Sequence, residues 1–228
     1  MFAPIGGILL GVLLGLRHAF EPDHLTAVST LVVETRDARR GALLGAIWGL
    51  GHTISLVVVG AILLATGALL PERTAAAFEL AVAAMLVVLG ARSLYLAARD
   101  GGRGVVHVHR HGDEAHAHAA PAAHVHVGTR ALALRPLVVG LVHGLAGSGA
   151  ITAIVFAELP TLATRITYIA LFGIGSIGGM AIASGIAGAS LHRIAASPGR
   201  RRAFTLATGL LSIGVGIAWA IPELALLA

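Results

Sequence analysis

Six stretches of this sequence are apolar over the length that a bilayer demands of a helix, about 20 residues, and they leave little room for another fold. They run 4–33, 41–69, 75–98, 136–159, 165–190 and 204–227. With 57% hydrophobic and 12% charged residues, the chain has too little polar surface to wrap a soluble core of its size. Its 30 glycines suit helices that pack closely in lipid. The expectation is an all-α polytopic membrane protein of six transmembrane helices.

Charge then orients the spans. All 16 basic residues are Arg, and most fall between the apolar stretches. Arg36, Arg39 and Arg40 occupy the first link, against Arg73 alone in the second. The third carries Arg99, Arg103, Arg110, Arg130 and Arg135, the fourth Arg165 alone, and the fifth Arg193, Arg200, Arg201 and Arg202. This alternation places the odd-numbered links in the cytoplasm and both termini outside. It also accounts for the high pI without nucleic acid. The absence of Cys excludes disulfides, thiol relays and thiolate metal sites. Met1 to Ile5 has no basic n-region, and reads as the start of the first span and not as a signal peptide.

The first span breaks the apolar rule. Between Arg17 and His24 it holds Arg17, His18, Glu21, Asp23 and His24, with Pro22 among them. As a helix, 5–33 would be ~43 Å long, which puts this cluster near the middle of the membrane. Each ionisable group there costs roughly 2.5–3.5 kcal/mol on insertion scales, so such groups face a partner or a wet cavity. Pro22 removes a backbone donor and biases Glu21 away from helical angles. The helix should therefore break at Pro22, which starts a second half-helix with Asp23 in its first turn. Two imidazoles and one or two carboxylates would converge on the kink.

Neutral imidazole plus carboxylate, with no thiolate, is a ligand set for Ni²⁺, Co²⁺ or Zn²⁺ and a poor one for Cu⁺. His18, Asp23 and His24 are the ligand candidates, and Arg17, one turn before Glu21, is expected to pair with it. His52 lies between glycines and hydroxyls in Gly49-Leu-Gly-His-Thr-Ile-Ser55, and is a further ligand or relay candidate, with Thr53 and Ser55 nearby. His143, Ser148, Ser176 and Met180 are candidates for pathway lining, for which helix packing is the plainer explanation in Ser176 and Met180. No nucleophile–base pair or phosphate loop is present, so no enzyme is expected.

Two larger features organise the chain. The 100–135 link is polar and carries His107, His109, His111, His116, His118, His124 and His126. Clustered imidazoles on a flexible cytoplasmic loop would collect divalent metal. The halves on either side look alike: Gly15-Leu-Arg-His-Ala answers to Gly140-Leu-Val-His-Gly, and Leu44 to His52 can be laid on Phe172 to Met180. Three spans per repeat force the second copy to insert upside down, the arrangement of transporters that alternate access about a midplane site. The predicted divisions are a first three-helix repeat at 1–99, the His-rich loop at 100–135 and a second repeat at 136–228.

His18-Ala-Phe-Glu-Pro-Asp23-His24 has the H-x4-D-H form of the nickel/cobalt transporter family, and Gly49-Leu-Gly-His52-Thr resembles its second signature. The seven-His link is similar to that of the family's six-span efflux branch, and the chain as a whole resembles the shorter branch of efflux and urease-associated nickel permeases. The resemblance implies secondary movement of Ni²⁺ or Co²⁺ across the cytoplasmic membrane, with His18, Asp23 and His24 as transport ligands and His52 close by. The metal would be cargo, with no resident cofactor, and a cytoplasmic metallochaperone is a partner the loop could serve. The chain departs from the eight-span importers, whose second half carries acidic signatures where this one reads Gly144-Leu-Ala-Gly-Ser-Gly149. Two other classes stand beside this reading: a haem-bearing electron carrier that uses intramembrane His, and a non-transporting accessory protein.

Overall fold

The computed structural model describes residues 3–32, 37–67, 70–99, 107–111, 114–118, 125–127, 130–132, 134–146, 159, 161–194 and 197–227. The expected first span is two helices, α1 (Ala3–His18) and α2 (Pro22–Val32). Phe20 and Glu21 close the end of α1 by donating to carbonyls three residues back, Arg17 at 2.9 Å and His18 at 3.0 Å. Pro22, which has no amide to donate, opens α2, and the Glu21 carbonyl accepts the bond from Leu25 at 2.9 Å. Proline thus stops one helix and starts the next within three residues.

The remaining helices are α3 (Ala38–Thr66), α4 (Glu72–Arg99), α5 (Leu134–His143), α6 (Leu162–Ile194) and α7 (Pro198–Leu227). Asp37 caps α3 by accepting from the Arg39 amide at 3.1 Å, and Gly67 ends it in the left-handed region at φ 63°. Ser197 caps α7, whose first residue is Pro198. Among the described residues four helices, α3, α4, α6 and α7, are long and apolar enough to cross a membrane. Of the expected fourth span only α5 is described, and 147–158 lie outside the described residues.

Packing leaves large apolar side chains facing outward on every long helix: Val57, Val58 and Ile62 on α3, Val88 on α4, Ile174, Ile182 and Ile186 on α6, Leu210, Leu211 and Ile217 on α7. Contiguous apolar surface of this extent is what lipid covers. Among the described elements the chief pairings are α3 with α6, α4 with α7, α1 with α6, and α3 with α5.

Glycine sets these approaches, because only a missing Cβ lets two backbones touch. A Cβ on Gly15 would collide with the Phe172 carbonyl and lie 2.9 Å from the Ser176 amide nitrogen. A Cβ on Gly140 would collide with the Trp48 carbonyl and lie 3.0 Å from the His52 nitrogen. In the reverse direction, Gly175 meets the Val12 carbonyl and the Leu16 nitrogen, and Gly51 meets the Leu137 carbonyl and the Leu141 nitrogen. The α1–α6 and α5–α3 contacts are therefore the same contacts with the halves of the chain exchanged. They match in a different register from the one read from sequence, which laid His52 on Met180. By contact, His52 answers to Ser176, one turn earlier. Glycine-rich helices match in several registers by composition, and packing selects one.

A correction concerns the 100–135 link, which was expected to be without regular structure. It contains two short antiparallel ladders, β1 (His107–His111) with β2 (Glu114–His118), and β3 (Val125–Val127) with β4 (Arg130–Leu132). His107 pairs with His118 and His109 with His116 along the first. The all-α expectation thus holds for the apolar helices but not for this link. Alternating Val and His is a strand-period pattern, which the loop's polar composition obscures.

Candidate metal centre

Four imidazoles and a carboxylate from α1, α2, α3 and α5 meet inside the helix bundle. His18 is the last residue of α1, Asp23 and His24 lie in the first turn of α2, His52 is midway along α3, and His143 ends α5. His24, His52 and His143 are each 1% exposed, His18 9% and Asp23 8%. The kink explains the convergence: three linking residues turn the chain so that α1 and α2 each present one imidazole to the same space. The His18 and His24 ring centres are 4.4 Å apart, His18 and His52 5.2 Å, His24 and His52 5.3 Å, and His24 and His143 4.1 Å.

Carboxylates orient three of these rings. A carboxylate only accepts hydrogen bonds, so each facing nitrogen carries the proton. His143 Nε2 donates to Asp23 Oδ2 at 2.7 Å, His24 Nδ1 to Asp23 Oδ1 at 3.2 Å, and His18 Nδ1 to Glu21 Oε2 at 2.9 Å. The opposite nitrogens, His18 Nε2, His24 Nε2 and His143 Nδ1, then hold bare lone pairs, and none has a hydrogen-bond partner. Both nitrogens of His52 are likewise without one. An unsatisfied buried polar atom costs roughly 1–3 kcal/mol. Several in one place mark a site built for something that accepts lone pairs, and an imidazole oriented by a carboxylate is the usual form of a metal ligand.

Among the described residues two sets of ligand atoms lie close enough to hold an ion, with every atom of a set within 4.8 Å of the others. One is His18, His24 and His52, and the other Asp23, His24 and His143. Trp48 and Phe172 wall the site: the Phe172 ring is 5.4 Å from His18, and the Trp48 ring 5.5 Å from His24 and 5.6 Å from His143.

The other sequence candidates fall around this cluster. Arg17 is exposed, and the expected Arg17–Glu21 pair is replaced by His18–Glu21, because the helix ends between the two and takes Glu21 off Arg17's face. Thr53 donates to the Gly173 carbonyl at 3.2 Å and Ser55 to the Leu141 carbonyl at 2.6 Å, so both tie α3 to its neighbours. Met180 is fully buried against Gly45 and Gly49 on α3. Ser176 is buried with its hydroxyl unpaired, at the position that exchange of the halves gives to His52. Ser148 and His124 lie outside the described residues. The other loop histidines lie on the ladders: His107, His109 and His111 on β1, His116 and His118 on β2, His126 on β3. Trp48 and Phe172 were not nominated from sequence. The signal available was that each is an aromatic one turn before the residue at the α3 or α6 crossing.

The chain matches no family profile and no solved structure. It is similar to the urease accessory protein UreH of Bacillus sp. (strain TB-90), 29% identical over 210 residues that make up 92% of this chain and 88% of that one. It is also 34% identical over 126 residues to a high-affinity nickel transport protein of Cupriavidus necator, covering 48% of this chain and 35% of that longer relative. The long apolar helices and the similarity to a membrane transport protein describe a multi-pass membrane protein. The chain is thus a homologue of a urease accessory protein and of a nickel transporter, in keeping with the nickel/cobalt transporter family that its H-x4-D-H motif resembles.

Proposed function

We propose that this protein is a secondary permease that moves Ni²⁺, and Co²⁺ as a close second, across the cytoplasmic membrane. The observation that carries the reading is the convergence of His18, His24, His52 and His143 with Asp23, their free nitrogens buried and unsatisfied. The ion would shed water onto imidazole nitrogens, which suit a borderline divalent cation better than Mg²⁺ or Ca²⁺. Asp23 offsets its charge in a low-dielectric setting, and Trp48 and Phe172 keep the site dry. The name of one relative, a high-affinity nickel transport protein, supports nickel as cargo.

Alternating access by two inverted three-helix repeats, 1–99 and 136–228, is supported by the exchanged contacts of α1–α6 and α5–α3. In this arrangement the site lies where the repeats meet, with ligands from both. The His-rich 100–135 link on the cytoplasmic face then gathers or receives metal near the pore, with both termini outside.

The test is ⁶³Ni²⁺ flux in vesicles reconstituted with the purified protein. Flux that saturates with Ni²⁺, and that is lost in His18→Ala, His24→Ala and His52→Ala proteins that still insert and elute as wild type does, is expected. Undiminished flux in all three variants removes the proposal.

A further inference from the structure

We propose that the centre holds one ion in either of two adjoining positions, with His24 common to both and His143 the ligand that receives the ion from His18. The proposal rests on the permease reading only in taking the ion for cargo. Two ligand sets are present, His18–His24–His52 and Asp23–His24–His143, and they share a single residue. A neutral imidazole has one lone pair, at Nδ1 or at Nε2, so His24 serves one set at a time. Its Nδ1 faces Asp23 and its Nε2 is otherwise unengaged.

His18 and His143, one from each set, occupy matching places in the α1–α6 and α5–α3 contacts. On one side His18, three residues after Gly15, lies 5.4 Å from the Phe172 ring whose carbonyl Gly15 touches. On the other His143, three residues after Gly140, lies 5.6 Å from the Trp48 ring whose carbonyl Gly140 touches. Each position thus has its own terminal histidine and its own aromatic wall. Asp23 and His24 come from α2 alone and stand between them. Two positions with a shared middle ligand let the ion pass from His18 to His143 by a short step. Moving the ion through a single rigid cage would require all its ligands to let go together.

The experiment is Co²⁺ titration of the purified full-length protein in lipid nanodiscs, read by visible absorption, alongside ⁶³Ni²⁺ flux in vesicles. Wild type is expected to bind one Co²⁺ per chain. His24→Ala, and His24→Gln as a better-shaped variant, should weaken binding by at least about 100-fold. His18→Ala and His143→Ala should each retain one Co²⁺ within about tenfold of wild-type affinity, with spectra that differ from each other, because each leaves a different set. Both should lose flux. If His18→Ala and His143→Ala abolish binding as fully as His24→Ala does, the ion has a single position and the proposal is overturned while the permease reading stands. Wild-type binding in the His24 variants also overturns it. Two-mode Co²⁺ binding without any wild-type flux would leave the two positions in place and remove the permease reading.

Discussion

His143 Nε2 lies 2.7 Å from Asp23 Oδ2, a hydrogen bond between helices from opposite halves of the chain and the shortest polar link within the centre. Asp23 also takes His24 Nδ1, so one carboxylate sets the tautomers of two rings and the angle between α2 and α5. Its contribution to the site is as much directional as electrostatic.

Asp23→Asn separates these roles. The amide keeps the size of the carboxylate but loses its charge and one acceptor. Metal affinity is expected to fall between about 10- and 100-fold, the usual loss when a ligand's orienting partner is removed, with thermal stability little changed. Co²⁺ titration and a melting curve on the same preparation check both halves of the statement.

Pro22→Ala restores the missing amide and removes the ring that keeps Glu21 out of helical angles. Helices α1 and α2 should then tend to fuse, which carries Asp23 and His24 away from His18. The expected outcome is a protein at least as heat-stable as wild type that has lost ⁶³Ni²⁺ flux.

Gly15→Ala and Gly140→Ala each place a methyl against a backbone carbonyl on the neighbouring helix. Either should destabilise the protein by about 1–3 kcal/mol through forced separation of the helices. Gly178→Ala, at a helical site with nothing within 4 Å of the added carbon, should instead be neutral or gain up to about 1 kcal/mol. Unfolding in mixed detergent micelles ranks the three.

Ser212→Ala removes the bond from its hydroxyl to the Leu86 carbonyl, 2.7 Å long, at the α4–α7 crossing. Interhelical hydrogen bonds in membranes average about 0.6 kcal/mol, so a drop of that order is expected, with flux per folded molecule unchanged. A larger loss of flux than of stability would place α4 and α7 in the transport step.

The ligand candidates were legible because charge is scarce in an apolar run: His18, Asp23, His24 and His52 lie in spans otherwise made mostly of Leu, Val, Ala and Gly. The break was legible because proline acts locally. His143 could be noticed but not assigned, since its hydrogen bond depends on how α5 docks on α3 and α2. Trp48 and Phe172 gave no warning, because an aromatic residue in a greasy helix looks the same whether it walls a site or faces lipid. The register of the halves by contact differs from that read from sequence for a related reason: glycine repeats so often in α3 and α6 that composition does not choose among alignments one turn apart. Arg17 and Glu21 have the spacing of a helical pair, but the helix does not continue between them.

Where Gly15 meets Phe172 and Gly140 meets Trp48, main chain bears on main chain with no cushion of side atoms between. Joints of that kind resist sliding, since any shift along the axis drives an α-carbon into a carbonyl. Each half's leading helix is therefore keyed to the middle helix of the other half. In the proposed permease, a change in which face of the membrane the ion sees would then be a turning of keyed cross-half pairs, or a swing of α2 on its short hinge. One half of the polypeptide cannot simply tilt away from the other.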